Sequence, residues 1–194
     1  MNPTRLWAPM LVLALITPSQ AVVVDFEDLS AGSFGVGGSF SSAGISFDVI
    51  NYNGVGGGFF INKTTSPPNT QLNMANSTGI NVILPPNANL IEFDYFDHCS
   101  GCSTTGITVN GVASSPTVQL TALDGTTLGG AAIQVIAGSG LTIPNHLRLT
   151  GPITSFATGG TEYLLDNLRL AVPEPATALL ATCGIAGFSL RRRR

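Results

Sequence analysis

Charge is what this sequence has least of. Asp, Glu, Lys and Arg make up only 10% of its 194 residues, against 44% hydrophobic residues. That balance excludes a chain held open by its own charge and leaves ample material for a buried core. Basic residues are scarcest between Val22 and Val172, where Lys63, Arg148 and Arg169 stand against ten acids, a net of about −7. Such a surface repels phosphate backbones, so nucleic acid is excluded as a partner, while cations, neutral sugars or a polar matrix suit it. Two histidines and three cysteines leave little for a four-ligand zinc site. No G-x-S-x-G elbow, H-E-x-x-H pair or P-loop occurs. Internal repeats are missing, and so is sustained helical periodicity between the two ends.

Short β-strands are what remains. The 23 glycines and 12 prolines are scattered between apolar runs, and the runs alternate: Ile45, Phe47 and Val49 point one way, Ser46 and Asp48 the other. Strands are expected over 22–26, 44–50, 59–61, 80–84, 90–96, 106–109, 118–123, 132–136, 146–149, 153–156 and 163–170. Turn signals such as Asn53-Gly54, Pro85-Pro86-Asn87, Asn110-Gly111 and Asp124-Gly125 separate them. The pattern predicts an all-β fold, an antiparallel β-sandwich of jelly-roll type.

The two ends read differently. Arg5 precedes an apolar run over 6–16 and then Thr17-Pro18-Ser19-Gln20-Ala21. A short apolar run followed by small residues is a secretory signal peptide, with cleavage expected after Ala21. At the other end, Pro173-Glu174-Pro175 stops any strand because two prolines remove two backbone donors. An apolar stretch of fifteen residues over 176–190 follows, closed by Arg191, Arg192, Arg193 and Arg194. As a helix it would cover about 22 Å, short of the roughly 30 Å hydrocarbon core. The terminal arginines would snorkel and fix that end inside the cell, leaving the middle region outside. Three parts result: a signal peptide (1–21), an extracytoplasmic sandwich (22–172) and a tail (173–194).

The tail resembles the PEP-CTERM sorting signal of bacterial exported proteins: Pro173-Glu174-Pro175, a short apolar helix with Gly184 and Gly187, and a terminal arginine cluster, in that order. The resemblance implies an exosortase-type sorting enzyme as partner, anchoring in the inner membrane before processing, and export alongside exopolysaccharide. It covers about 22 residues and says nothing of the chemistry between 22 and 172. Val23-Val24-Asp25-Phe26-Glu27-Asp28-Leu29 and Tyr163-Leu164-Leu165-Asp166-Asn167-Leu168 resemble the first and last strands of carbohydrate-binding-type jelly rolls. That likeness implies a structural calcium held by Glu27 and Asp166. Two-residue alternation puts Asp166 on the face of Leu164, Leu168 and Leu170, where a carboxylate needs a partner.

Two further groups draw attention. Cys99 and Cys102 in His98-Cys99-Ser100-Gly101-Cys102 fit a local disulfide in an exported protein, with a metal site or a redox pair as alternatives. Glu92 and Asp94 share one face of the strand 90–96. Paired carboxylates serve glycoside hydrolysis, yet acids alternating with Ile91, Phe93 and Tyr95 equally make the wet face of a half-buried strand. The expected function is that of a non-catalytic surface or matrix protein associated with exopolysaccharide. A secreted glycan hydrolase using Glu92 and Asp94 is the rival, and a self-associating structural protein is a third reading.

Overall fold

A computed structural model describes residues 20–30, 32–52, 60–66, 69–75, 77–97, 105–115, 119–138, 143–161 and 163–172. Numbered along the chain, the strands are β1 (Gln20–Val24), β2 (Ser33–Gly35), β3 (Ser39–Ser42), β4 (Ile45–Asn51), β5 (Phe60–Ser66), β6 (Asn69–Met74), β7 (Thr78–Val82) and β8 (Leu90–Asp97). Beyond these come β9 (Gly106–Val109), β10 (Val112–Ala113), β11 (Thr127–Leu128), β12 (Ala131–Ile136), β13 (Asn145–Thr150), β14 (Phe156–Gly160) and β15 (Tyr163–Val172). They form two antiparallel sheets. The larger runs β11-β12-β13-β8-β15-β6-β5-β2, with β1 also paired to β15, and the smaller runs β10-β9-β14-β7-β4-β3.

The sheets pack face to face because each presents the apolar half of its alternation. Ile91, Phe93, Tyr95, Leu147 and Leu149 come from the larger sheet and Phe47, Val49, Ile80, Val82 and Phe156 from the smaller, all buried in one core. Phe93 of β8 and Phe156 of β14 bridge the layers with ring centroids 5.7 Å apart. Each such side chain stabilises the fold by roughly 1.5–3 kcal/mol. The all-β antiparallel expectation therefore holds, and β8 and β9 fall within a residue of their expected bounds.

Turn chemistry places the connections. Asn110 (φ 51°) and Gly111 (φ 77°) form the two-residue turn between β9 and β10, since both positions need positive φ. The Asn110 side chain also fastens two other loops. Its amide donates to Gly129 O at 2.7 Å and Pro152 O at 2.9 Å, while its Oδ1 accepts from Thr154 N at 2.7 Å.

Several expectations are corrected. Residues 120–123 form a 3₁₀ turn rather than a strand. Leu120 and Leu123 are three apart, the spacing that stacks in a 3₁₀ turn, and Ala122 N donates to Gln119 O at 2.9 Å. The strand expected over 153–156 begins at Phe156 and runs through two glycines to Gly160. Added side chains there would collide: a Cβ on Gly159 would lie 2.5 Å from Gly79 Cα. β2, β3 and β6 were not expected, because their serines, asparagines and glycine read as loop. The alternation assigned to Asp166 also fails. Between Asp166 and Arg169 the register of β15 against β8 shifts by one residue, and Asn167 there has φ 49°. This β-bulge puts Asp166 on the face opposite Leu165, Leu168 and Leu170, which point into the core.

The expected signal peptide up to residue 19, Pro173-Glu174-Pro175, the tail stretch with Arg191–Arg194, the pair Cys99 and Cys102, and the turn expected at Asn53-Gly54 lie outside the described residues. Among the described residues no helix is long and apolar enough to cross a membrane.

Candidate functional site

The outer face of the larger sheet carries the polar half of three neighbouring strands. β8 contributes Glu92 and Asp94, β13 contributes His146 and Arg148, and β15 contributes Asp166, Asn167 and Arg169. Register sets their pairing: His146 lies opposite Asp94 and Arg148 opposite Glu92, while Asp166 lies opposite Asp94 and Arg169 opposite Glu92 on the other side. The i, i+2 spacing of Glu-Phe-Asp meets the same spacing of His-Leu-Arg, so Arg148 faces Glu92 as its opposite charge and His146 faces Asp94 as a hydrogen-bonding partner.

The side chains close this ladder. His146 Nδ1 and Asp94 Oδ1 are 2.8 Å apart, and His146 Nε2 stands 3.9 Å from Glu92 Oε1. Arg148 Nε donates to Glu92 Oε1. Asn167 Nδ2, brought round by the bulge, donates to Asp94 Oδ2 at 2.9 Å. Glu92 is nearly inaccessible, with its side chain 8% exposed, whereas Arg148 is 48% exposed. The acid lies low against the sheet and the arginine reaches outward over it. A carboxylate so deep needs a cationic hydrogen-bond partner.

The expected metal ligands are placed differently from one another. Asp166 is buried, and its Oδ1 accepts the Asn167 N–H at 2.8 Å. Glu27 is exposed, and its N–H donates to Asp25 Oδ1 at 3.1 Å. Register brings the end of β1 beside the bulge, with Val24 opposite Leu168. Among the described residues no group of three or more His, Cys, Asp or Glu side chains converges as a metal site. Neighbouring Asp28 caps the turn after β3, accepting from Ser42 Oγ and from Ala43 N at 2.8 Å.

The sequence reading singled out Glu92 and Asp94 but missed His146, Arg148 and Asn167 as their partners. The signal was present in His146-Leu147-Arg148-Leu149, whose polar positions carry an imidazole and a guanidinium as partners for carboxylates. Asn167 gave a weaker one, an asparagine inside an apolar strand, where it tolerates left-handed backbone better than most residues.

The smaller sheet has a different outer face. Gly79, Gly159 and Gly106 lie side by side on β7, β14 and β9, and Tyr52, just past β4, lies over them. A Cβ on Gly159 would come 2.9 Å from Tyr52 Cβ, and one on Gly106 would come 3.1 Å from Tyr52 Oη. Tyr52 Oη and Thr108 Oγ1 are 3.3 Å apart. Burial raises the Tyr52 phenol pKa above its ordinary value of 10.0, and the Thr108 hydrogen bond works the other way.

Residues 171–194 match the family model of the PEP-CTERM protein-sorting motif. The chain carries a PEP-CTERM sorting signal. It is therefore an exported protein, recognised by an exosortase and held by its C-terminal segment before processing. The PEP-CTERM match covers the tail and the last two residues of β15, and leaves the rest of the sandwich unassigned. No curated protein and no solved structure matches the chain.

Proposed function

We propose that this exosortase substrate is a non-catalytic surface or matrix component whose sandwich, jelly-roll-like in its strand exchanges between sheets, associates with exopolysaccharide. The observation that carries this reading is the engagement of Glu92 and Asp94 by Arg148, His146 and Asn167. Glycoside hydrolysis needs two carboxyl groups on opposite sides of the scissile bond, one of them poised as an acid. Glu92 and Asp94 project from one strand on one face, each bonded to a neighbour. The register neighbours of His146 are Asp94 and Ile136, so among the described residues no hydroxyl or thiol pairs across from it as a nucleophile. The test is to incubate the exported protein with purified exopolysaccharide from the producing cells. Co-sedimentation without any fall in polymer length is expected. Shortening of the polymer that is lost in Glu92→Gln would replace this reading with the hydrolase.

Two structural features complete the proposal. A calcium ion at Glu27 and Asp166 would tie the end of β1 to the bulge of β15, drawing its remaining ligands from backbone carbonyls. At one hundred times its Kd it would add about 2.7 kcal/mol, and a melting temperature unmoved by chelator would dismiss it. A Cys99–Cys102 disulfide would pin the segment after β8, and alkylation of both thiols in the unreduced protein would dismiss that bond. Before processing, the stretch over 176–190 and Arg191–Arg194 would anchor the chain in the inner membrane.

A further inference from the structure

The two ends of the folded unit meet at the sorting motif. β1 pairs with β15 in the register Gln20–Val172, Ala21–Ala171, Val22–Leu170, Val23–Arg169 and Val24–Leu168. On its other side β15 pairs with β8 only as far as Ala171, opposite Leu90. Among the described residues, then, Gln20 is the one strand partner of Val172, and Ala171 lies between Leu90 and Ala21. The leader cut expected between Ala21 and Val22 would take away Gln20 and Ala21 and leave Val22–Val24 in place. The match to the sorting motif begins at Ala171, inside β15. Three separate features thus fall on the same two residues.

The backbone chemistry of the motif gives this coincidence a meaning. Pro173 and Pro175 carry no N–H, so Pro-Glu-Pro offers one backbone donor, at Glu174. Enzymes that grip an extended peptide do so largely through main-chain hydrogen bonds of the strand-addition kind. Here the grip must take further donors and acceptors from residues beside the prolines. Upstream this is Val172, whose pairing with β1 lasts as long as Gln20 remains attached, whereas Ala171 O on the other side accepts from Asn89 N at 3.3 Å and stays bonded.

We propose that the sorting enzyme docks on the β15 edge at Val172, and that removal of the leader opens this edge. Hydrolysis of the Ala21–Val22 amide by a leader peptidase consumes one water and leaves a carboxylate on Ala21 and an ammonium on Val22. The two pairings nearest the motif depart with the leader, and the three that remain keep β15 in the sheet. Tail processing accordingly follows leader removal in a fixed order, set by strand register rather than by a separate regulator.

The experiment follows tail removal in the full chain, expressed in its exosortase-containing host, by intact mass and N-terminal sequencing. The exported wild type should begin at Val22 and lose its tail. Ala21→Phe puts a bulky side chain where leader peptidases require a small one. That variant should keep its leader and lose its tail about tenfold more slowly, because the segment must first open locally. Gln20→Pro combined with Ala21→Phe keeps the leader but breaks the pairing with Val172, and should restore tail removal. Normal tail removal in Ala21→Phe alone would overturn the proposal. So would a double variant as slow as the single one, which would make membrane tethering rather than strand pairing the obstacle. A wild-type N-terminus at or before Gln20 would also overturn it.

Discussion

The outer faces of the two sheets keep their shape by opposite means. On the larger sheet, carboxylates lie low and are held by partners from the next strands, Arg148 on Glu92 and His146 and Asn167 on Asp94. On the smaller sheet, among the described residues, no ion pair lies at the corresponding place. Instead one residue, Tyr52, lies over three glycines, of which Gly79 and Gly159 leave no room for a methyl group and Gly106 little. The first arrangement depends on complementary charge and tolerates change of shape. The second depends on shape.

The sharpest way to break this contrast is to add a single carbon under Tyr52. Gly159→Ala places a Cβ 2.5 Å from both Gly79 Cα and Thr78 O, so backbone must shift rather than a side-chain end. A loss of about 3 kcal/mol is expected, near 10 °C in Tm for a domain of this size, read by thermal melting of the exported protein.

On the larger sheet the equivalent change is Arg148→Ala, which strips the low-lying Glu92 of its cation. Breaking a buried pair costs more than this one should, because Arg148 is 48% exposed and solvent screens the interaction. About 1–2 kcal/mol is expected from urea denaturation. Glu92→Gln in the same background should recover most of it, since a neutral amide needs no counter-charge. No recovery would mean that the packing of the arginine stem, not charge, holds the ladder.

The smallest effect is tied to pH. Tyr52 has its phenol pKa raised in the folded state, mainly by burial. A group that binds its proton more tightly when folded contributes fully below its unfolded pKa and loses that contribution as pH climbs past it. Stability should therefore fall as pH rises above about 10, and Tyr52→Phe should flatten that limb while changing neutral-pH stability by no more than about 1 kcal/mol. An alkaline limb of unchanged slope in the variant would assign the decline to other groups.

Much of the sandwich was legible because alternation and turn chemistry are local properties. The run Leu90–Asp97 announced itself by apolar residues at every second position, and Asn110-Gly111 by its need for positive φ. What escaped had causes beyond local reach. Phe156–Gly160 ends in two glycines that signal a turn, yet they pair as strand residues where Gly79 and Tyr52 leave no room for a side chain on Gly159 and Thr105 leaves none on Gly160. Ser39–Ser42 is a strand on the strength of its pairing with Ile45–Asn51 and its buried Phe40, not of its serines. The bulge at Asn167 moved Asp166 to the other face, a shift of one residue that no alternation rule detects. The candidate site was half legible: the acids stood out as a pair, but their partners lie more than fifty residues away in sequence and are joined to them only by register.

The broadest contrast is between the sandwich, whose faces are built from long-range pairing, and the tail, whose message is written in consecutive residues. That the arginine cluster sets retention and processing of the tail is tested most directly by changing Arg191–Arg194 to Ser and fractionating the producing cells. The account predicts that the variant keeps its tail and fails to reach the extracellular fraction, while its sandwich folds as before. Export and tail removal at the wild-type level would contradict it.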